Sequence, residues 1–238
     1  MATMPSRAET APRAIESILD QVDDLWLFLD RFDATPEYAL RDRVHVLHSH
    51  EVGDLRANGK FLRLALDGTP CTFFGVDDDV LYPDDYCATL ESWLRRYSDA
   101  AIVGVHGGLL PAAVDSYSRD LKVLHRRSAQ EEAREVDLLG SDSLAFRTSV
   151  FRFDVREWAD VNMVDLSFAR AARRHSIPLV TIPRRAYWLQ ALDEDQDDSI
   201  WQGVLRDDSR QTVLAQELVT LPRPPLPARR RLFSFRSA

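Results

Sequence analysis

Three consecutive carboxylates, Asp77, Asp78 and Asp79, follow the apolar run at residues 73–76. Adjacent negative charges repel one another, so this arrangement predicts a cation nearby. Ligands of open α/β folds bind outside the carboxyl ends of strands, where hard oxygen ligands suit Mg²⁺ or Mn²⁺ bound to a diphosphate. Strand alternation sends Asp77 and Asp79 to one side, so that one can hold metal while the other takes a ribose hydroxyl. The alternative interpretation is an acidic turn that only caps the following helix.

A second candidate carboxylate, Asp165, lies at the predicted start of a helix that runs to residue 175. A transferase that inverts an anomeric carbon needs one base, which takes the proton of the acceptor hydroxyl as its oxygen attacks. The positive end of the helix dipole is expected to keep Asp165 ionised, as a base requires. The alternative role is helix capping, the commonest reason for aspartate at a helix start.

Strands and helices alternate along the first half of the chain, and the elements become shorter in the second half. Apolar runs predict buried strands at residues 25–29, 44–48, 71–76, 100–105, 121–124, 136–139, 144–146 and 179–182. Helical spacing of apolar residues predicts helices at residues 9–19, 83–97 and 165–175. This order favours a single-domain α/β fold, with a mostly parallel Rossmann-like sheet and helices on both faces. The first strand is expected to be very short or to lack upstream residues, because only residues 1–4 precede a turn at Pro5.

Four segments carry a family resemblance. They are Thr3-Met4-Pro5-Ser6-Arg7, Gly53-Asp54 with Gly59-Lys60-Phe61, Val76-Asp77-Asp78-Asp79-Val80-Leu81-Tyr82-Pro83, and Val103-Gly104-Val105-His106-Gly107. In order and spacing these segments resemble bacterial family 2 glycosyltransferases of the glycosyltransferase A fold, over roughly residues 1–200. The triplet is similar to that family's DXD motif, and the segment around Asp165 is similar to its catalytic-base motif.

The resemblance implies roles for the candidate residues. Asp79 would be the ligand of Mn²⁺ or Mg²⁺, Asp77 would contact the nucleoside, and Asp78 is grouped with the donor-binding residues. Asp30 would meet the base or ribose, Lys60 would approach the nucleotide, and Asp165 would be the catalytic base. Arg7 is included for its place after the first strand. Lys60 has an ordinary alternative, a solvated lysine at a helix start.

We therefore expect a glycosyltransferase domain at residues 1–220, with a nucleotide-sugar-binding half at 1–106 and an acceptor half at 107–220. Residues 221–238 are rich in proline and arginine and are expected to form a mobile tail. The donor would be a nucleotide sugar, and the acceptor a saccharide or a lipid-linked saccharide. Two alternatives are a noncatalytic nucleotide-sugar or saccharide binding module, and a nucleotidyltransferase. The latter normally has a glycine-rich loop after the first strand, and residues 3–8 contain no glycine.

Net charge and composition limit the classes of binding partner that we expect for this chain. The formal net charge is −8, and the last 18 residues hold five arginines and no acid, which leaves −13 for residues 1–220. A domain with this negative charge would repel the phosphate backbone of a nucleic acid, so we do not expect nucleic acid as a partner. The two cysteines and the lack of a signal peptide or an apolar span favour a soluble, cytoplasmic protein. The arginine-rich tail could contact the inner face of an anionic membrane, and a homodimer is an open option.

Several further segments of the sequence allow more than one interpretation. Trp188 could stack on a sugar ring or lie in the core. The segment at residues 140–146 resembles an acceptor-pocket turn, but Asp142 stands where glycine is expected. The acidic run at residues 193–198 is interpreted as a solvated loop or a lid. Alternating histidines at residues 45, 48 and 50 give only a weak indication of zinc.

Overall fold

A computed structural model describes residues 1–192 and 200–229 of the chain. Its strands are β1 (Ala2–Thr3), β2 (Leu25–Leu29), β3 (Val44–His48), β4 (Thr72–Val76), β5 (Val80–Leu81), β6 (Ile102–Gly104), β7 (Gly107–Leu109), β8 (Lys122–Leu124), β9 (Arg134–Val136), β10 (Leu138–Leu139), β11 (Ser143–Arg147), β12 (Leu179–Thr181) and β13 (Gln190–Ala191). Its α-helices are α1 (Ala11–Leu19), α2 (Ser49–Val52), α3 (Arg63–Leu66), α4 (Tyr86–Arg96), α5 (Tyr117–Asp120), α6 (Val164–Arg174), α7 (Ile200–Arg206) and α8 (Ser209–Thr220). Short 3₁₀ helices cover Pro5–Arg7, Glu37–Ala39, Arg56–Phe61 and Val155–Glu157.

The prediction of an α/β chain is confirmed, but the sheet is not mostly parallel. Strands β1, β2 and β3 form a parallel sheet. A second sheet has the order β4-β11-β6-β12-β9, and only its β6–β12 pair is parallel. The sheets β10-β7-β8 and β13-β5 are antiparallel. The change of direction comes from β11, which enters between β4 and β6 antiparallel to both.

The central strands β2 and β6 carry apolar residues because both of their faces are covered. Alternation sends Phe28 into one apolar core and its neighbours Leu27 and Leu29 into another. In β6, Ile102 and Val103 are likewise divided between the two cores. Each such side chain contributes about 1.5–3 kcal/mol when fully buried, so both faces of the sheet stabilise the fold.

Helices supply the other side of each core. The buried residues of α1 and α4, including Ile15, Ile18 and Leu90, belong to the core that contains Leu27. Those of α6 and α8, including Phe168 and Leu218, belong to the core that contains Phe28. The expected covering of both faces by helices is therefore present.

The first strand is as short as the sequence indicated. Its two residues pair with Phe28 and Leu29, and the amino group of Met1 donates to the carbonyl of Trp26 at 2.9 Å. Beyond it, β2 and β4 are not hydrogen-bonded to each other, and a groove of about 550 Å³ is lined by residues of both strands. The hydrogen-bonded sheet is interrupted at this groove.

The segment after α8 is held to the domain at its start. Arg223 pairs with Asp137 at 2.7 Å, while residues 222–229 form no helix or strand. Within residues 1–192 and 200–229, no helix has the length and apolar character needed to cross a bilayer. The remainder of the predicted tail, residues 230–238, and the acidic run at 193–198 lie outside the described residues.

Candidate active site

The acidic triplet forms the turn between β4 and β5, and contacts on both sides fix it. The carbonyl of Asp79 accepts from the Leu192 N–H at 2.8 Å, beside the antiparallel β5–β13 pair. The Asp77 N–H donates to the hydroxyl of Tyr82 at 2.8 Å, and that hydroxyl donates to the Asp142 carbonyl at 2.7 Å. Because α4 starts only at Tyr86, and its N-cap residue makes no side-chain capping bond, the triplet does not cap this helix. Helix capping therefore does not account for the triplet.

Lys60 reaches the triplet from the 3₁₀ helix Arg56–Phe61. Its side chain is 4% exposed, and its ammonium donates to Asp77 Oδ1 and to Ser141 Oγ, the latter at 3.2 Å. Burial acts to lower the pKa of Lys60, but the charge and hydrogen bond of Asp77 outweigh it, so the pKa is raised. Lys60 is therefore a buried ammonium ion rather than the solvated lysine of the alternative interpretation.

The other two carboxylates of the triplet lack such compensation. Burial, together with the charge of Asp77, raises the pKa of Asp78 to about 6. Burial, followed by the charges of Asp77 and Asp78, raises the pKa of Asp79 to about 7. Near neutral pH the site therefore gains by binding either a proton or a cation beside Asp79.

A cavity of about 730 Å³, here called the first cavity, brings the predicted donor-binding residues together. All of them line it: Arg7, Asp30, Lys60, Asp77, Asp78 and Asp79. Asp30 Oδ2 accepts from Arg31 Nε at 3.1 Å, whereas Asp30 Oδ1 is buried without a hydrogen-bond partner among the described residues. An unpaired buried carboxylate oxygen is costly, and a ligand hydroxyl would satisfy it.

Asp165 lies in the first turn of α6 but does not cap it. The N-cap residue is Met163, which makes no side-chain capping bond, and Asp165 Oδ1 instead accepts from the Ser141 N–H at 2.9 Å. Burial, with the charge of Asp142, raises the pKa of Asp165 against the opposing Ser141 N–H and the charge of Lys60. Burial thus outweighs the Ser141 N–H and the Lys60 charge, and a raised pKa makes the ionised carboxylate a stronger base.

Two further cavities connect Asp165 with the triplet. The second cavity, of about 540 Å³, is lined by both Asp79 and Asp165. The third cavity, of about 230 Å³, is lined by Lys60, Asp77 and Asp165. Because Asp79 also lines the first cavity, it lies where the first and second cavities meet.

The turn between β10 and β11 carries Asp142, and sequence reasoning missed its pairing with Arg126, which lies between β8 and β9. Asp142, 6% exposed, pairs with Arg126 and accepts from Ser143 Oγ at 2.8 Å. Burial acts to raise the pKa of Asp142, but Arg126 prevails and lowers it. The turn lies against β4 because Gly75 has no side chain: a Cβ there would come within 2.6 Å of the Ser141 carbonyl. Nothing in the sequence distinguished Arg126 from the other arginines.

Two histidines border the second cavity as neutral rings. Burial lowers the pKa of His106. Burial, with the charges of His106 and Arg126, lowers the pKa of His125 to about 4. Their ring centroids are 5.2 Å apart. At neutral pH both can accept or donate hydrogen bonds without adding charge.

Other candidate residues fall outside the site. Trp188 is 6% exposed and donates to Asp85 Oδ1 at 3.0 Å, so it belongs to the core. His45 pairs with Asp24 at 2.7 Å, and His48 with Thr35 at 2.8 Å. No cluster of three or more histidine, cysteine or acidic side chains suited to a metal occurs in the described ranges. His45 and His48 are each engaged with another side chain.

No protein-family model matches the sequence, and no curated protein shows significant similarity to it. The function of the chain must therefore be inferred from the geometry of its cavities and from the chemistry of the residues that line them.

Proposed function

We propose that this chain is a metal-dependent, inverting glycosyltransferase, which moves a sugar from a nucleotide-diphosphate donor to a hydroxyl of a saccharide or lipid-linked saccharide. The observation that carries the proposal is the position of Asp79, which lines both the first and the second cavity. The first cavity also contains Asp77 and Asp78, and the second contains Asp165. A donor in the first and an acceptor in the second would therefore meet at Asp79.

The first cavity suits a nucleotide sugar in size and in polar groups. Its volume of about 730 Å³ falls within the range of about 300–1,000 Å³ found for small-molecule sites. Asp30 offers its unpaired oxygen to a ribose or base group. Arg7 and Lys60 supply positive charge for phosphates.

A divalent cation fits beside Asp79. Mg²⁺ binds through one or two carboxylates together with waters and substrate phosphates, so it needs no larger set of protein ligands. When bound, such a cation neutralises the charge that develops on a departing diphosphate. The raised pKa of Asp79 supports this assignment, because burial and the charges of Asp77 and Asp78 disfavour the ionised carboxylate, and a bound cation would favour it.

The transfer step uses Asp165 as the general base. Asp165 takes the proton of the acceptor hydroxyl while its oxygen forms a bond to the anomeric carbon. The bond from that carbon to the diphosphate oxygen breaks, and the nucleoside diphosphate leaves with the bonding electrons. The Ser141 N–H holds one oxygen of Asp165 in place. We further propose that the chain has the glycosyltransferase A fold and acts in the cytoplasm.

The test is donor binding with and without metal. Isothermal titration of a panel of UDP-, GDP- and dTDP-sugars should give Mn²⁺-dependent binding to the wild-type chain, and EDTA should reverse it. Asp79→Asn should abolish the metal-dependent part, at least a tenfold loss of affinity, corresponding to about 1.4 kcal/mol or more. Asp33→Asn, at an exposed aspartate outside the first cavity, is the matched control. If Asp79→Asn bound the nucleotide sugars with unchanged metal-dependent affinity, Asp79 would not be the metal ligand.

A further inference from the structure

The helix α7 presents an exposed tryptophan to the candidate active site. Ile200 and Trp201 are 45% and 42% exposed, whereas Val204, one turn later, is buried. Trp201 lines the second and third cavities, and Asp165 lines both of them as well. The indole of Trp201 is therefore part of the surface that a ligand of these cavities would contact, and aromatic side chains are common in the lining of small-molecule sites.

The other tryptophans are engaged elsewhere. Trp188 is buried, Trp158 stacks on Phe153 at 5.0 Å, and Trp26 stacks on His45 at 4.8 Å. Trp93 lies under the guanidinium of Arg96, 4.7 Å from it. Trp201 is therefore the indole available to a ligand of the second cavity.

The chemistry of this cavity matches a sugar ring. A pyranose has a face of C–H groups, which an aromatic ring can cover, and a rim of hydroxyls, which need polar partners. The second cavity combines Trp201 and the apolar side chains Leu121 and Leu138 with polar groups at His106 and Asp165. Apolar walls with a few convergent polar groups are typical of specific small-molecule sites.

We propose that Trp201 is the stacking residue for the acceptor saccharide, and that it determines which hydroxyl reaches Asp165. This inference rests on the proposed function and deepens it, because it assigns the acceptor class to the second cavity. A ring held flat on the indole can present only the hydroxyls on its rim to the base. Trp201 thereby controls acceptor affinity and the position of the new glycosidic bond.

Saturation-transfer NMR tests the contact with defined probes. The probes are the methyl glycosides of glucose, galactose, mannose and N-acetylglucosamine, added to the full chain with UDP and diamagnetic Mg²⁺. Wild type should transfer saturation to the ring C–H protons of at least one probe. Trp201→Ala should weaken that binding roughly tenfold, the loss expected for one stacking contact, and Trp201→Phe should retain most of it. Leu205→Ala, on the same helix and 56% exposed outside both cavities, should match wild type.

The NMR experiment tests the role of Trp201, and the nucleotide-sugar titration tests the proposed function, so failure of one can be told from failure of the other. Equal saturation transfer in wild type and Trp201→Ala, or none from any probe in wild type, would overturn the stacking assignment. If wild type showed no Mn²⁺-dependent nucleotide-sugar binding by titration, the proposed function would instead be refuted, because that measurement reports on the first cavity. Unaltered thermal unfolding of Trp201→Ala would show that the fold is intact, as expected for an exposed side chain.

Discussion

Asp137 joins three parts of the domain and offers a quantitative test of the structure. Its side chain is fully buried and pairs with Arg173 of α6, which is 5% exposed, and with Arg223 beyond α8, which is 55% exposed. It also accepts from the Leu110 N–H at 2.8 Å. The next residue, Leu138, lines the second cavity, so this cluster supports a wall of the candidate site.

Asp137→Asn keeps the size of the side chain and removes its charge. Arg173 would still donate to the carbonyls of Leu218 and Leu221, at 2.9 and 3.1 Å, but its buried charge would be uncompensated. Removing one partner of a buried ion pair costs about 3–5 kcal/mol. For a chain of this length each kcal/mol shifts the melting temperature by about 2–4 °C, so we expect a decrease of about 6–20 °C.

Urea unfolding of the single and double variants measures this cost. The double variant Asp137→Asn/Arg173→Met should lose less free energy of unfolding than the sum of the two single variants, because the uncompensated charge is gone. Asp160→Asn is the control, because its partner Arg210 is 49% exposed, and it should cost about 1 kcal/mol or less. If Asp137→Asn lowered the free energy of unfolding no more than Asp160→Asn, the buried charge of Arg173 would not depend on Asp137 for compensation.

Two further predictions concern catalysis and pH. Asp165→Asn should retain Mn²⁺-dependent donor binding by titration and lower turnover about 10²–10⁴-fold, the usual contribution of a general base; full turnover would require a different base. Hydrogen bonds from Ser118 and Ser116 hold the pKa of Asp208 at about 2, below the unfolded value of about 3.9, so their stabilisation is complete above about pH 4 and is lost as the pH falls towards 2. Urea unfolding should therefore show a larger cost of Asp208→Asn at pH 5.5 than at pH 3, and equal costs would contradict this reasoning.

The sequence predicted those parts of the site that depend on local pattern. An apolar run followed by acids specifies both β4 and the turn that carries Asp77, and the helical spacing after residue 164 specifies α6 and the place of Asp165. The α8 helix was not predicted, because only Leu214, Ala215 and Leu218 of its twelve residues are buried. So narrow an apolar stripe gives little periodic signal.

Pairing between distant segments could not be predicted in the same way. A strand buried on both faces is apolar whether its neighbours run parallel or antiparallel, so nothing in β11 indicated its reversed direction. The Arg126–Asp142 and Lys60–Ser141 contacts join residues 16 and 81 positions apart. Such contacts depend on how the strands are ordered, which no single-segment pattern records.

Charge balance explains why the carboxylates of the site differ. Asp142 is paired with Arg126, and its pKa is lowered. Asp78, Asp79 and Asp165 have no ion-pair partner within the part of the chain that the structure describes, and their pKa values are raised. These three line the cavities, so the uncompensated negative charge is concentrated where a ligand would bind. A cation with its diphosphate at Asp79, and a hydroxyl proton at Asp165, are the two species that would relieve it.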